Sequence, residues 1–357
     1  MDTKDKNLAS PGMAAPTPMM GEIASDFQGT TPGTEPNKEA EISTPFRDSL
    51  RAFRRDKRAM ISLGIMVAII VIAIIGPLIY IHIGGAYNSH DNGAIGPAQY
   101  HDFGHQELNR QDEGPNGMYW LGTDAIGRDL LARLMQGLRV SLMVAVMVEV
   151  IQDLLGISIG ILAGYYGGWI DQFLARFTDI IYAFPGLLFT ILVAGIFGSS
   201  ADSIFGHIPL FGGGNSRLVL VGLTLAVVGW PFMARLVRGQ VLQLREQQFI
   251  EAAKTSGARD WRILTSHILP NLLGIIIVTV SFDVATTIVA EAGLSFLGLG
   301  VQAPGASLGL MISDAANVVS VHPWEALLPA FVLTIIVVVL SFIGDGLRDA
   351  FDPRANG

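Results

Sequence analysis

The chain has 357 residues, half of them apolar and only 15% charged, with 41 Gly, 17 Pro and no Cys. Average soluble domains carry about 25% charged residues, so this composition points at lipid and excludes a disordered chain, a disulfide-stapled scaffold and a cysteine-ligated metal protein. A formal net charge of −8 argues against a nucleic-acid partner, which needs a basic stripe.

Residues 1–46 are polar and rich in Pro, Gly, Thr and Ser. They hold too little apolar surface to order themselves, which predicts a disordered cytoplasmic tail and no secretory signal. The basic residues Arg47, Arg51, Arg54, Arg55, Lys57 and Arg58 follow at the membrane border, suited to fixing topology and attracting anionic headgroups. A bilayer core about 30 Å thick needs roughly 20 apolar residues in a helix. Residues 60–81 meet this with no charge at all. Further spans are expected at about 140–163, 173–197, 218–233, 268–290 and 326–343, giving six within a membrane domain over 47–354. The external loop between the first two spans, residues 82–139, carries His82, His90, His101 and His105. Their spacing fits no ordinary metal site, so they read as solvated loop histidines. No catalytic residue, metal ligand or cofactor-binding residue is assigned.

Six spans put both termini on one side. Placing the tail, the 165–176 turn, the 235–267 loop and the C-terminal end inside puts 18 of the 23 Lys and Arg there. The positive-inside rule then makes both termini cytoplasmic.

Three carboxylates fall within the spans: Glu149, Asp153 and Asp283. Intramembrane charges are costly and face a bundle interior or a wet cavity. Glu149 and Asp153 share a helical face, where two ionised groups repel, so a cationic partner or a shared proton is expected. One reading has the three lining a path and attracting a cationic solute. The other, favoured by base rate, is interhelical hydrogen bonding or contact with a partner subunit. In the third span, Asp179 is expected to pair with Arg176 across one turn, and Pro185 to kink the helix.

Residues 240–266 form a cytoplasmic loop unlike a linker in composition. Phe249, Ala252, Ala253 and Ser256 follow a helical period and make a face open to close approach of a partner. Gly257 offers a stop, Asp260 a cap for a second helix, and Pro270 falls in the early turns of the next span. No G-x-x-x-x-G-K-[ST] phosphate loop occurs anywhere, since no Gly is followed by Lys.

The run Glu251-Ala252-Ala253, then Gly257 and Leu269-Pro270, resembles the EAA loop of ABC-importer permeases. His267 stands where the general pattern has Ile. The blocks at 120–129 (WLGTDAIGRD), 291–300 (EAGLSFLGLG) and 344–349 (GDGLRD) resemble the dipeptide/oligopeptide/nickel branch, and the order of the blocks resembles its C-type permease. The resemblance covers about residues 45–354. It implies an all-α integral membrane protein with six transmembrane helices, a type I importer permease with a cytoplasmic EAA coupling helix. It further implies a second, B-type permease, two cytoplasmic ATPases that hold the ATP and Mg, and an external solute-binding protein. The setting would be a prokaryotic plasma (inner) membrane, and no nucleic acid is involved.

By the same resemblance, Glu251, Ala252, Ala253, Gly257 and Pro270 would couple to an ATPase. The Gly-rich outer segment 291–320 would lie on the face where the binding protein docks, through Leu294, Ser295, Phe296, Leu297 and Gly298. Short peptides are the expected cargo, with nickel or oligosaccharides as alternatives in the same class. A secondary transporter is the competing class; it predicts inverted repeats, which the sequence does not show convincingly.

Overall fold

The computed structural model describes residues 45–86, 93–206 and 216–351. The predicted tail lies almost wholly outside them, as do His90 and the last C-terminal residues. Among the described residues the fold is helical, with one two-stranded ribbon on the loop after the first span: β1 (Ala94–Ile95) pairs antiparallel with β2 (Gln106–Glu107).

A short basic helix, α1 (Pro45–Arg55), leads into α2 (Lys57–Tyr80). Asp56 caps α2 by accepting from the Arg58 and Ala59 amides. Helix α2 packs one narrow stripe inward, including Ala59, Met66 and Ala73, and leaves the remainder of its apolar surface facing outward. An 18-residue stretch of it has a mean hydropathy of 2.8, which suits that surface to lipid tails.

Helix α3 (Leu130–Tyr166) begins ten residues before the expected span, because Asp129 caps it from the loop. It packs along α7 (Ser216–Leu244) through Gly156, Gly160 and Gly164, spaced four apart on one face. A Cβ on these glycines would lie 2.7 Å from Met233 Cβ, the Ala234 carbonyl and Val241 Cβ respectively. Only glycine lets the two backbones approach so closely, and in lipid such contact is a main source of helix association.

The span expected at 173–197 is two helices, α4 (Gly168–Tyr182) and α5 (Gly186–Phe197). They meet at 69°, either as one broken span or as a re-entrant pair. Pro185 causes the break: it has no amide to donate and holds the N-cap of α5. Helix α6 (Ala201–Phe205) follows. Among the described residues five helices are long and apolar enough to cross a membrane, and the bent pair makes a sixth if taken as one span.

The remainder comprises α8 (Gln248–Thr255), α9 (Asp260–Ile263), α10 (Leu269–Phe296), α11 (Leu308–Ala315) and α12 (Pro323–Phe351). A π-helical turn, Leu264–Ile268, joins α9 to α10 without a break. Pro270 explains it: the residue cannot donate to the preceding turn, and wider π-type bonds absorb the defect. One apolar core gathers α1, α2, α3, α10 and α12; a second lies where α8 and α9 meet the lower halves of α3, α7 and α10.

Candidate functional site

Helix α8 sits across the ends of α7 and α10. Ile250 is its anchor, fully buried among Val237, Val241, Ile263 and Ile268, with Ala253 packed at the edge. Glu251, Ala252, Phe249 and Ser256 remain exposed, so three of the four positions of the expected small face are free for a partner. Ala253 is half-buried and faces the molecule instead.

The helix ends as the sequence suggests. Gly257 adopts φ +77°, its amide donates to the Lys254 carbonyl (2.9 Å), and the Ala258 amide closes onto the Ala253 carbonyl (3.1 Å). This pair of bonds is the glycine-terminated Schellman arrangement. Asp260 does not cap α9 as expected: it is the first helical residue, and its carboxylate accepts from the Tyr165 hydroxyl at 2.7 Å. Lys254 lies over the Tyr165 ring, 5.4 Å from its centroid. The α8 loop is thereby tied to the end of α3 from both sides.

At the opposite end, residues 291–315 fold back on the bundle. Glu291 is fully buried and accepts from the Ser141 and Ser295 hydroxyls, both at 2.7 Å. Ser307 caps α11 through the Leu310 amide. Leu294 and Ser295 are fully buried, which corrects their expected place on a docking surface: Leu294 fills the core and Ser295 serves Glu291. Phe296 and Leu297 are exposed beside Gly298, so the outward part of the segment begins at Phe296.

The loop block at 120–129 builds a charged clamp. Asp124 accepts from Arg128 Nε (2.7 Å) and Arg133 Nη1 (2.5 Å), and both arginines also reach Asp314 of α11 at 2.9 Å. Burial would push the Asp124 carboxyl up, but Arg133 and Arg128 outweigh it and hold it below the ordinary carboxylate range. Asp129 is a second hub: beyond capping α3, it accepts from the Tyr80 hydroxyl (2.9 Å) and lies 2.6 Å from His101 Nδ1. His101 and His105 are therefore buried parts of the cap rather than solvated loop residues; His105 bonds the Pro97 carbonyl at 3.0 Å. Among the described residues no group of three or more His, Asp and Glu is arranged to hold a metal.

Within the spans, Glu149 accepts from the Thr287 hydroxyl at 2.7 Å. Asp153 and Asp283 lie close enough to interact with it electrostatically. The cationic partner expected for them is not found among the described residues: Arg235 and Arg238 of α7 are engaged elsewhere, and Arg217, at the start of α7, forms no ion pair. Arg238 makes a forked pair with Asp171 (2.5 and 2.8 Å), and Arg235 binds Asp179 at 2.7 Å. The predicted Arg176–Asp179 pair is thus replaced by one between helices, because Arg235 also stacks 4.0 Å over Tyr182. Two G-x-S-x-G runs, at 156–160 and 305–309, escape the sequence reading. Ser158 lies inside α3 and Ser307 caps α11, so neither stands on the strand-to-helix turn that exposes a nucleophile.

A family profile described as the binding-protein-dependent transport system inner membrane component matches residues 156–357. The chain belongs to this transport permease family. A second profile, the N-terminal transmembrane domain of oligopeptide transport permease C, matches residues 44–94. The permease is 35% identical to a dipeptide transport system permease protein of Alkalihalophilus pseudofirmus over 94% of this chain and 99% of that one. It is 36% identical to a glutathione transport system permease protein of Salmonella typhimurium, over 90% of this chain and 94% of the other. It is also 36% identical to an oligopeptide transport system permease protein of Bacillus subtilis, over 87% and 90% respectively. The first profile takes in α8 and α10–α12. Asp124, Arg128 and Arg133 of the clamp, with α3 up to residue 155, fall between the two profiles, whereas Asp314 falls within the first.

Proposed function

We propose that this permease is the C-type half of the translocation path of an ATP-driven importer of short peptides, coupled to a separate ATPase through α8. The observation that carries the reading is the form of α8: a short helix anchored by Ile250, ended by Gly257, and presenting Glu251 and Ala252 outward. A helix held this way moves with the ends of α3, α7 and α10 as one body, which suits it to turn ATPase closure into a change between inward-open and outward-open states. Glu251, Ala252, Ala253 and Gly257 carry the coupling, with Pro270 shaping the link to α10. Phe296, Leu297 and Gly298 form part of the face for an external solute-binding protein.

A B-type permease completes the path, and two ATPases supply ATP and Mg from the cytoplasmic side. Both termini lie in the cytoplasm, on the strength of the Lys and Arg distribution. Short peptides are favoured as cargo because the relatives are named for dipeptide, oligopeptide and glutathione transport, and glutathione is itself a tripeptide.

Reconstitution in liposomes tests the reading. Uptake of a labelled di- or tripeptide should require this chain, the B-type permease, the ATPases, the binding protein and ATP together. Uptake by this chain alone without ATP would overturn it in favour of a secondary carrier.

A further inference from the structure

Three carboxylates lie near the middle of their helices, and each keeps one buried oxygen without a hydrogen-bond partner: Glu149 Oε2, Asp153 Oδ1 and Asp283 Oδ2. No ion pair among the described residues involves any of them. Glu149 is 96% buried (4% exposed), so its free oxygen has no open surface on which to be solvated. An unpaired carboxylate inside a membrane bundle is expensive and persists where a cavity or a ligand completes it.

Gln152 supplies an independent observation. It lies on α3 between the two acids and is 6% exposed. Its amide oxygen rests against Gly229 of α7, where any Cβ would overlap it. Gln152, Asp283, Thr286 and Thr287 together line a cavity of about 270 Å³ between α3, α5, α7 and α10, whose other walls are apolar, Leu187 and Phe232 among them. Small-molecule pockets run to roughly 300–1,000 Å³, so this one is sized for a residue-like group rather than a whole oligopeptide.

The donor and acceptor balance identifies the guest. Ionised carboxylates only accept hydrogen bonds, whereas an ammonium only donates and carries three N–H groups. The carboxylates are not arranged to hold a metal. Resting on the importer reading, we propose that Asp283 and Gln152 form a mid-membrane subsite for the protonated amino group of the transported solute, as at the amino end of a short peptide, with the nearby Glu149 and Asp153 adding negative potential. Gln152, with both a donor and an acceptor, pairs with the peptide group that follows.

The assembled importer, purified in lipid nanodiscs without nucleotide or binding protein, tests this by saturation-transfer NMR with two probes, trialanine amide and N-acetyl-trialanine amide. The wild type should bind the first and bind the acetylated probe at least about tenfold more weakly, the loss expected for one charge-assisted contact. Asp283→Asn and Asp283→Ser should each weaken trialanine amide by about tenfold and leave the acetylated probe unchanged. Equal binding of both probes, no binding by the wild type, or unchanged affinity in both variants would overturn the proposal. So would loss of the B-type partner from both variants, which would make Asp283 an assembly contact. Binding-protein-stimulated ATP hydrolysis on the same preparations reports separately on the importer reading.

Discussion

Glu291 and Asp124 show how single side chains hold together the half of this permease opposite α8. Glu291 gathers hydroxyls from α3 and from its own helix at a fully buried position. Glu291→Ala would leave those donors unpaired in an apolar surrounding, at a cost of about 2 kcal/mol or more. The expected result is a melting temperature lowered by several degrees in detergent, with Glu291→Gln, which keeps acceptor capacity, falling between the two. Asp124 carries a pH dependence whose sign follows from its neighbours. Its carboxyl is depressed in the folded state by Arg133 and Arg128, against the upward push of burial. The clamp's contribution is therefore fully present above the ordinary carboxylate range and is lost as pH falls through the lowered value. Hydrogen exchange over residues 105–130 should rise on acidification below about pH 4, the ordinary carboxylate value, and Asp124→Asn should show the raised exchange already at neutral pH. Exchange that is flat with pH in the wild type would contradict the clamp.

Among the elements, α8 makes the sharpest demand. A Cβ at Gly257 meets nothing within 4 Å, so the cost of substitution is confined to the left-handed backbone, about 1 kcal/mol. Gly257→Asp should leave normal amounts of chain in the membrane while abolishing uptake; normal uptake would remove α8 from the coupling path. Ile250→Ala, by contrast, empties a buried site and costs about 2–5 kcal/mol locally. It should uncouple hydrolysis from transport, leaving stimulated ATPase activity with reduced uptake. At the other end, Leu297→Glu should weaken stimulation by the binding protein several-fold without lowering thermal stability, since the side chain is exposed. The α8 helix was legible in the sequence because its period, its glycine stop and the small residues lie within ten positions. The break between α4 and α5 was legible as a kink at Pro185, but its 69° angle depends on what packs on each half. Partners distant in sequence were not legible: Asp179 finds Arg235 across 56 residues, and His101 finds Asp129 across 28.

Across the whole molecule, charge and polarity are sorted by depth. Paired charges occupy the Asp124 clamp and the α4–α7 junction, a basic helix precedes the first span, and Glu149, Asp153 and Asp283 lie at mid-span, each with an unpaired oxygen. Hydropathy located the apolar segments, because segment length against bilayer thickness is a one-dimensional quantity. It could not show which loop histidines are buried, which residues of the 291–300 block face inward, or that α3 and α7 meet along a glycine stripe. Those depend on helices brought together in three dimensions. If this permease works as one subunit of an ATP-driven importer coupled through α8, it must travel with the other subunits. The most direct test is to isolate the tagged full-length chain in mild detergent and identify what accompanies it. Recovery of a second permease and two ATPases, with the ATPases lost from the Glu251→Ala and Gly257→Asp variants, is the predicted result. A chain that purifies alone and moves solute in liposomes without ATP would contradict the account.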